Sequence, residues 1–478
     1  MASFSALNYA NVGPGGTFRR SGNIQTRSAD IDAIFAQLSR DPRNKLAIHF
    51  HGGLIDEGSG LAIARKLAPV YEAAGSHPVT IIWETGLVET ITRNLTRIHK
   101  TKLFQKLVAY VLREVSKRLG GGIGGKGPGE AMAMSEIEVE LARIDKFDRF
   151  DPGARGNARL MTEADVEAER GDIELSLEET LEADNFPEFI ESGQAETEFL
   201  APDIGQQGTG RAKGLLELGV FVKLLAKVAY ASIMRFVRER DHGLYPTVVE
   251  EVLRELYLAD FGAWVWSGMK DVGAGMWAAN QTPINEDSHV GAYFLDKLAA
   301  YQAAHSELTV DVVGHSAGAI AICHMFRAAA QRHVTISIRN VIFLAPACTT
   351  GLFLQEIVSQ PERYAAFRMF TMADAFEVKD QLVPGVYTRS LLYFISGVLE
   401  GEADAPLAGL ARHLTGQPPY GAADLVEIAT WLSAEGSNHR VLSVTDDTVG
   451  GLTSTSTSHG DFDDDVPTLE SLKAIIAA

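Results

Sequence analysis

Three stretches of this sequence carry side chains whose types and spacing suit nucleophilic chemistry. In the first, Ser316 stands at the centre of Gly314-His-Ser-Ala-Gly318. A β-branched run, Val310 to Val313, leads into it, and a small-residue helical pattern follows. Strand, sharp turn and helix put the hydroxyl at an apex, where it is open to attack a substrate. Such a turn strains the serine backbone, so the residues two before and two after it must be nearly free of side chain. Gly314 and Gly318 meet that demand, and Ala317 keeps the turn tight. The competing reading is a glycine-rich turn with an idle hydroxyl.

The second stretch is Lys45-Leu-Ala-Ile-His-Phe-His-Gly-Gly-Leu54, an apolar strand that ends in His51-Gly52-Gly53. Where a serine is the nucleophile, an HGG turn after an early strand presents backbone N–H groups to the oxyanion that forms during attack. Glycine suits the turn because a β-carbon would keep the substrate oxygen away. His49 and His51 share one strand face, but no acidic or thiol ligand accompanies them, and no metal is expected.

A serine needs a base, and the base an orienting acid. After a strand–turn–helix serine the expected chain order is serine, acid, histidine. His459 fits the base, in Ser458-His-Gly-Asp-Phe462 beyond the last expected strand, with a glycine after it. His439, at the start of that strand, is its rival. The acid should follow the strand that ends near Met372, which leaves Asp374, Glu377 and Asp380. Asp380 is favoured because it heads Asp-Gln-Leu-Val-Pro384, and Asp374 is the alternative.

The elements that position these groups read as an alternation of strands and helices, hence a parallel sheet. Strands are expected at Lys45–Phe50, Pro78–Trp83, Thr309–Val313, Val341–Ala345, Phe367–Met372 and His439–Thr445. Helices are expected at 28–38, 59–74, 287–305, 317–331, 351–359, 387–414, 425–432 and 467–477, with an opening hairpin in 1–28. Between Gly86 and Ile284 the alternation lapses, and the segment reads as a mainly helical insertion. Residues 1–85 and 285–478 then form the α/β core, and 86–284 a lid or cap. Inside the insertion, periodicity runs from Leu87 to Leu119 and stops at Gly120-Gly-Gly-Ile-Gly-Gly-Lys-Gly-Pro-Gly129, a linker that lacks the Ser/Thr of a phosphate loop. Residues 130–205 are acidic and read as a solvated flap. The aromatics Tyr257, Phe261, Trp264, Trp266 and Trp277 are expected to line an apolar acyl pocket under the lid.

With GHSAG after one strand, HGG after an earlier one and a late His-Gly loop, the chain resembles the α/β-hydrolase superfamily, its lipase- and carboxylesterase-like members above all. The resemblance covers residues 40–85 and 285–478 and leaves the insertion unmatched; many members carry their cap later in the chain. It implies a mostly parallel sheet with flanking helices and Ser316 at its carboxyl edge. It also implies oxyanion donors from Ala317 and the His51–Gly53 turn. The expected activity is ester hydrolysis through an acyl-enzyme, without metal or organic cofactor, on a small-molecule or lipid ester. Acyl transfer, or amide or thioester cleavage, would use the same groups. A non-catalytic binding protein on the same scaffold is the reading from another class.

The totals agree with such a protein. Over 478 residues, 46% hydrophobic content supports a large core, and a formal net charge of −19 argues against nucleic acid as partner. Two cysteines, Cys323 and Cys348, and no secretion signal at Met1-Ala-Ser-Phe-Ser-Ala make a reducing cytoplasm the expected location. Residues 215–238 form an amphipathic helix with Lys223, Lys227, Arg235 and Arg238 near one face. Two readings stand: a lid helix burying its apolar face, or an interfacial helix giving peripheral contact with an anionic membrane.

Overall fold

The computed structural model describes residues 4–52, 56–83, 87–119, 132–143, 146, 161–192, 218–257, 263–445 and 449–478. The chain divides into two compact units. The first comprises Met1–Thr90, Val265–Glu377 and Pro406–Ala478, and the second Ile91–Trp264 and Val378–Ala405.

The first unit is built on seven strands: β1 (Tyr9–Val12), β2 (Lys45–Phe50), β3 (His77–Trp83), β4 (Thr309–His315), β5 (Ile338–Leu344), β6 (Tyr364–Met372) and β7 (Arg440–Ser443). They lie in the order β1-β3-β2-β4-β5-β6-β7, and every neighbouring pair is parallel. Strands β2 and β4 are buried at every residue but the first, and β3 throughout. Near-continuous burial of this kind goes with a parallel sheet covered on both faces. On one face Ala47, Val313, Ile342, Phe370 and Val441 pack with Leu67 and Tyr71 of the helix Glu57–Ala73 and with Leu472 and Ile476 of the helix Val466–Ala477. Each such large apolar side chain contributes about 1.5–3 kcal/mol on burial.

The strand order sets where a site can form. From β2 the chain passes outward to β3, and from β4 it passes the other way to β5. Connections that diverge from adjacent strands leave a crevice at their carboxyl ends. The HGG turn follows β2 and Ser316 follows β4, so both open onto that crevice.

Two expectations for the α/β portion change. Residues Tyr9–Val12 form no hairpin; they pair with β3 as a parallel edge strand, and Pro14–Gly16 makes a 3₁₀ turn. An alternating run followed by Gly-Pro-Gly-Gly fits both arrangements. The segment 378–405, expected in the α/β core, belongs to the second unit, together with most of the expected insertion.

Among its described residues the second unit is helical. The periodicity of 87–119 breaks into Leu87–His99 and Lys102–Leu119 because the Thr101 hydroxyl accepts from the Phe104 amide at 3.2 Å and donates to the Ile98 carbonyl at 2.7 Å. The acidic stretch is not a solvated flap where it is described: Arg170–Ala183 buries Ile173, Leu177 and Leu181, and Phe186 packs edge-on against Tyr110 and Phe221. The glycine-rich 120–129 lies outside the described residues, as does Phe261, while Trp264 falls in the helix Ala263–Gly275. Tyr257 packs on Phe104 in this unit while Trp277 packs on Phe50 in the first, so these aromatics serve two cores.

The helix Leu218–Val237 buries Phe221, Val222, Leu225, Val228, Ile233 and Phe236. Lys227 pairs with Glu255 at 2.6 Å, Arg238 with Glu163 at 2.7 Å, and Arg235 is buried against Glu250 at 2.7 Å. Three of its four basic side chains thus pair with carboxylates of the same unit. Among the described residues no helix is long and apolar enough to cross a membrane.

The 378–405 segment is held to the second unit through buried charge. His242 lies between two carboxylates, with Nδ1 2.8 Å from Glu250 Oε1 and Nε2 2.9 Å from Asp404 Oδ1, all three side chains inaccessible. Arg240 binds Asp404 at 2.8 Å, and the Tyr387 hydroxyl donates to Glu250 at 2.5 Å. Burial alone would raise the Glu250 carboxyl, but His242, Arg235 and Tyr387 hold it down, from 4.5 to about 2. A carboxylate lowered in the folded state stabilises it above the unfolded value, and that stability is lost as pH falls through the folded value. We therefore expect the second unit to lose stability between about pH 4.5 and 2. Urea unfolding of wild type and Glu250→Gln across that range checks it: the variant should be less stable by about 3–5 kcal/mol near neutrality, the cost of breaking a buried pair, and flatter with pH.

Candidate active site

Ser316 has φ of +51°, a left-handed conformation that non-glycine residues adopt at a cost of about 1–3 kcal/mol. Neighbouring backbone holds it there. Its N–H donates to the Leu344 carbonyl at 2.8 Å, and its carbonyl accepts from Ala347 at 3.0 Å and from Ala319 at 3.2 Å. The end of β5 and the start of the helix Gly318–Gln331 thus fix both sides of the turn. The flanking glycines are sterically required. A β-carbon on Gly318 would lie 2.1 Å from the Phe50 carbonyl oxygen, and one on Gly314 2.8 Å from the Ala319 nitrogen and from the Gly318 carbonyl carbon.

His459 reaches this serine from the far end of the sequence: its Nε2 lies 3.0 Å from Ser316 Oγ, and with the proton on Nδ1 the ring accepts from the hydroxyl. The loop that carries it is made of hydroxyl residues because its buried polar groups bond one another. Ser443 Oγ donates to the Ser456 carbonyl at 2.5 Å, Ser456 Oγ to the Ser458 carbonyl at 3.0 Å, and Thr468 Oγ1 to Ser454 Oγ at 2.8 Å. Gly460, the glycine after His459, has φ of −79° and open space where a β-carbon would stand, so its lack of a side chain is not what lets His459 reach inward. Burial, and secondarily the charge of His315, push the His459 imidazole down to about 3, so it is neutral and able to accept a proton at neutral pH.

The turn after β2 lies against the same serine. A β-carbon on Gly52 would point at Ser316 Cβ, 3.4 Å away. His51 is locked, not poised to move protons to a substrate: its Nε2 accepts from the Trp83 amide at 3.1 Å, its Nδ1 faces the Gly52 carbonyl at 2.6 Å, and its ring stacks on Trp83. Burial pushes it down to about 4. Gly53 lies outside the described residues. Ala317 caps the helix Gly318–Gln331, whose amides bond back to preceding carbonyls from Ala319 onward, so the Ala317 and Gly318 amides ahead of them are the ones at the helix start that can turn to an anion.

His439 stacks on Trp431 at 3.9 Å with Nδ1 2.9 Å from the Trp431 carbonyl, which leaves His459 as the histidine at the serine. Asp374 opens the short helix Asp374–Glu377 just past β6 in the first unit, and Asp380 belongs to the second. Two groups not singled out in the sequence stand beside the pair. His315 closes β4, and the buried Asp463 lies 3.8 Å from its Nδ1. Position 315 is one of the two unspecified residues of the serine motif, so nothing in the pattern marked it. Among the described residues no cluster of His, Cys, Asp and Glu could hold a metal. Comparison with known proteins found no matching family model, no matching curated protein and no matching solved structure.

A serine hydroxyl held on a strained turn within bonding distance of a neutral imidazole, with glycine and helix-terminal amides alongside, is suited to nucleophilic attack and to binding the resulting oxyanion. The turn itself is open to test. Gly318→Ala should destabilise the first unit by about 1–3 kcal/mol or more, since backbone must move. Gly460→Ala should be neutral. Thermal unfolding of the two variants reads both, and equal midpoints would contradict this account of the turn.

Proposed function

We propose that this protein is a serine hydrolase of the α/β-hydrolase type that cleaves carboxylic esters through an acyl-enzyme. The reading rests on one observation above the others, the 3.0 Å approach of His459 Nε2 to the hydroxyl of a serine held at positive φ. It is supported by the parallel sheet, by the strand order that opens a crevice beside Ser316, and by the glycine turn against the same side chain.

On this reading His459 takes the Ser316 proton as Oγ attacks the ester carbonyl carbon. The oxyanion is held by the amide of Ala317 and those of the Gly52–Gly53 turn, donors worth about 3–4 kcal/mol each where removed from other enzymes. The imidazolium then protonates the leaving alcohol. Water, deprotonated by the same ring, releases the acid and restores the serine. A carboxylate on the far side of the imidazole would orient it and stabilise its charge. Asp380 and Asp374 are the two candidates, and Asp374 is the one in the same unit as Ser316. A water-free approach by a second alcohol would make the same groups an acyltransferase.

The decisive experiment is covalent labelling with a fluorophosphonate, followed by peptide mapping. Wild type should be labelled at Ser316, and Ser316→Ala should neither label nor turn over short-chain esters while unfolding at the wild-type temperature. A folded wild type that resists the probe and the ester panel would overturn the reading in favour of a binding protein. For the acid, Asp380→Asn and Asp374→Asn are compared by kcat. The residue that orients the base should lose several powers of ten, since a misheld imidazole has cost about 10⁴ in another serine enzyme, and the other should lose little.

A further inference from the structure

Ser316 and His459 are joined by more than the bond between their side chains. His315 Nε2 lies 3.1 Å from the His459 carbonyl, so its N–H donates to the backbone of the base. Its Nδ1 lies 3.8 Å from Asp463 Oδ2, and Asp463 sits four residues beyond His459 on the turn Asp461–Asp463. One imidazole therefore grips the 459–463 loop at two points. Because His315 directly precedes Ser316, the contacts close a ring: His315 to Ser316 through the chain, Ser316 Oγ to His459 Nε2, and the His459 carbonyl back to His315. The same imidazole faces the opposite wall, since a β-carbon added to Gly52 would lie 3.6 Å from its Nδ1. His315 and Asp463 are 7% and 4% exposed, so neither contact is traded readily for water.

We propose that His315, held by Asp463, is a positioning residue that sets the approach of His459 to Ser316 and keeps the base loop against the glycine turn. This inference rests on the hydrolase reading above. Its electrostatic consequence follows from the neighbours. The titratable groups packed around the two rings, among the described residues, are His51 from the turn after β2, Asp463 from the base loop, and behind them His49 of β2 bonded to Tyr71 of the helix Glu57–Ala73 at 2.8 Å. The charge of His315 opposes an imidazolium on His459, after burial the second cause of its low value. Replacing His315 by a neutral side chain should therefore raise the pH at which His459 protonates.

The test uses the full chain and three variants, His315→Gln, His315→Phe and Asp463→Asn. Gln keeps an N–H for the His459 carbonyl and lacks the charge; Phe keeps the volume and lacks both. His315→Phe should lose about 100-fold in fluorophosphonate labelling rate and in kcat, the cost of misplacing a reacting group by about an ångström, with KM within about threefold. His315→Gln should recover most of that loss, but its kcat/KM should begin to fall at higher pH than in wild type, and ¹⁵N-histidine spectra should show His459 titrating higher. Asp463→Asn should fall between wild type and His315→Phe. A folded His315→Phe labelled at the wild-type rate, or, should that variant fail to fold, an unmoved His459 titration in His315→Gln, overturns the proposal. An unlabelled wild type removes the hydrolase reading and this inference with it, an outcome distinct from either.

Discussion

The arrangement around Ser316 depends on how closely the chain packs between β2 and β4. Phe50 and Gly314 are partners across these strands, and the Phe50 carbonyl presses on the α-carbon of Gly318. No room remains for a side chain at either glycine, so the chain can leave β4 only through the tight turn that lifts Ser316 to positive φ. Two bonds from the end of β5 then hold the serine backbone in place. The strain, about 1–3 kcal/mol, is small beside the burial of a seven-stranded sheet covered on both faces, and that is why the fold can sustain it.

The same packing explains what the sequence made legible. A strand that must take a sharp turn against its neighbour has few residue choices, so Gly314, Ser316, Ala317 and Gly318 stood out in the string. The HGG turn stood out for a related reason, the close approach of Gly52 to Ser316 Cβ. Six of the seven strands were expected near their observed positions, because burial on both faces leaves unbroken apolar runs. β1 is the exception: with four residues at the sheet edge it carries only a short alternation, which a hairpin shares. His459 was legible from chain order and from its place beyond the last expected strand.

What escaped the sequence was set by partners distant in the chain. Nothing near 378–405 signals that His242 and Glu250, more than a hundred residues earlier, hold that segment in the second unit through Asp404 and Tyr387. The acidic stretch from Arg170 was read by its charge, although Ile173, Leu177 and Leu181 at helical spacing decide its packing. His315 was hidden for a different reason. The serine motif constrains only the positions that need to be small, and a residue whose role is to bond the backbone 144 positions later leaves no local pattern. The acid has the same difficulty, since an aspartate after a strand is as often a helix cap as a catalytic partner.

Burial works on the proposed base in two opposite directions. By pushing His459 down to about 3 it keeps the ring neutral at rest, as a proton acceptor must be. The same burial makes the imidazolium formed during attack expensive, and His315 adds to that cost. A ring in this environment can act as a base only if the charge it acquires is met at once. In the proposed mechanism an oxyanion beside the Ala317 and Gly52 amides would meet part of it, because the two charges would arise together and close to one another. The rest calls for a carboxylate on the far ring nitrogen, whose field would be strong in a site this dry. Asp463 sits near enough to compensate His315 but is engaged from the side of that ring, 3.8 Å from its Nδ1. Asp463 is thus engaged by the His315 brace, and the proposed mechanism calls for a second carboxylate at the base.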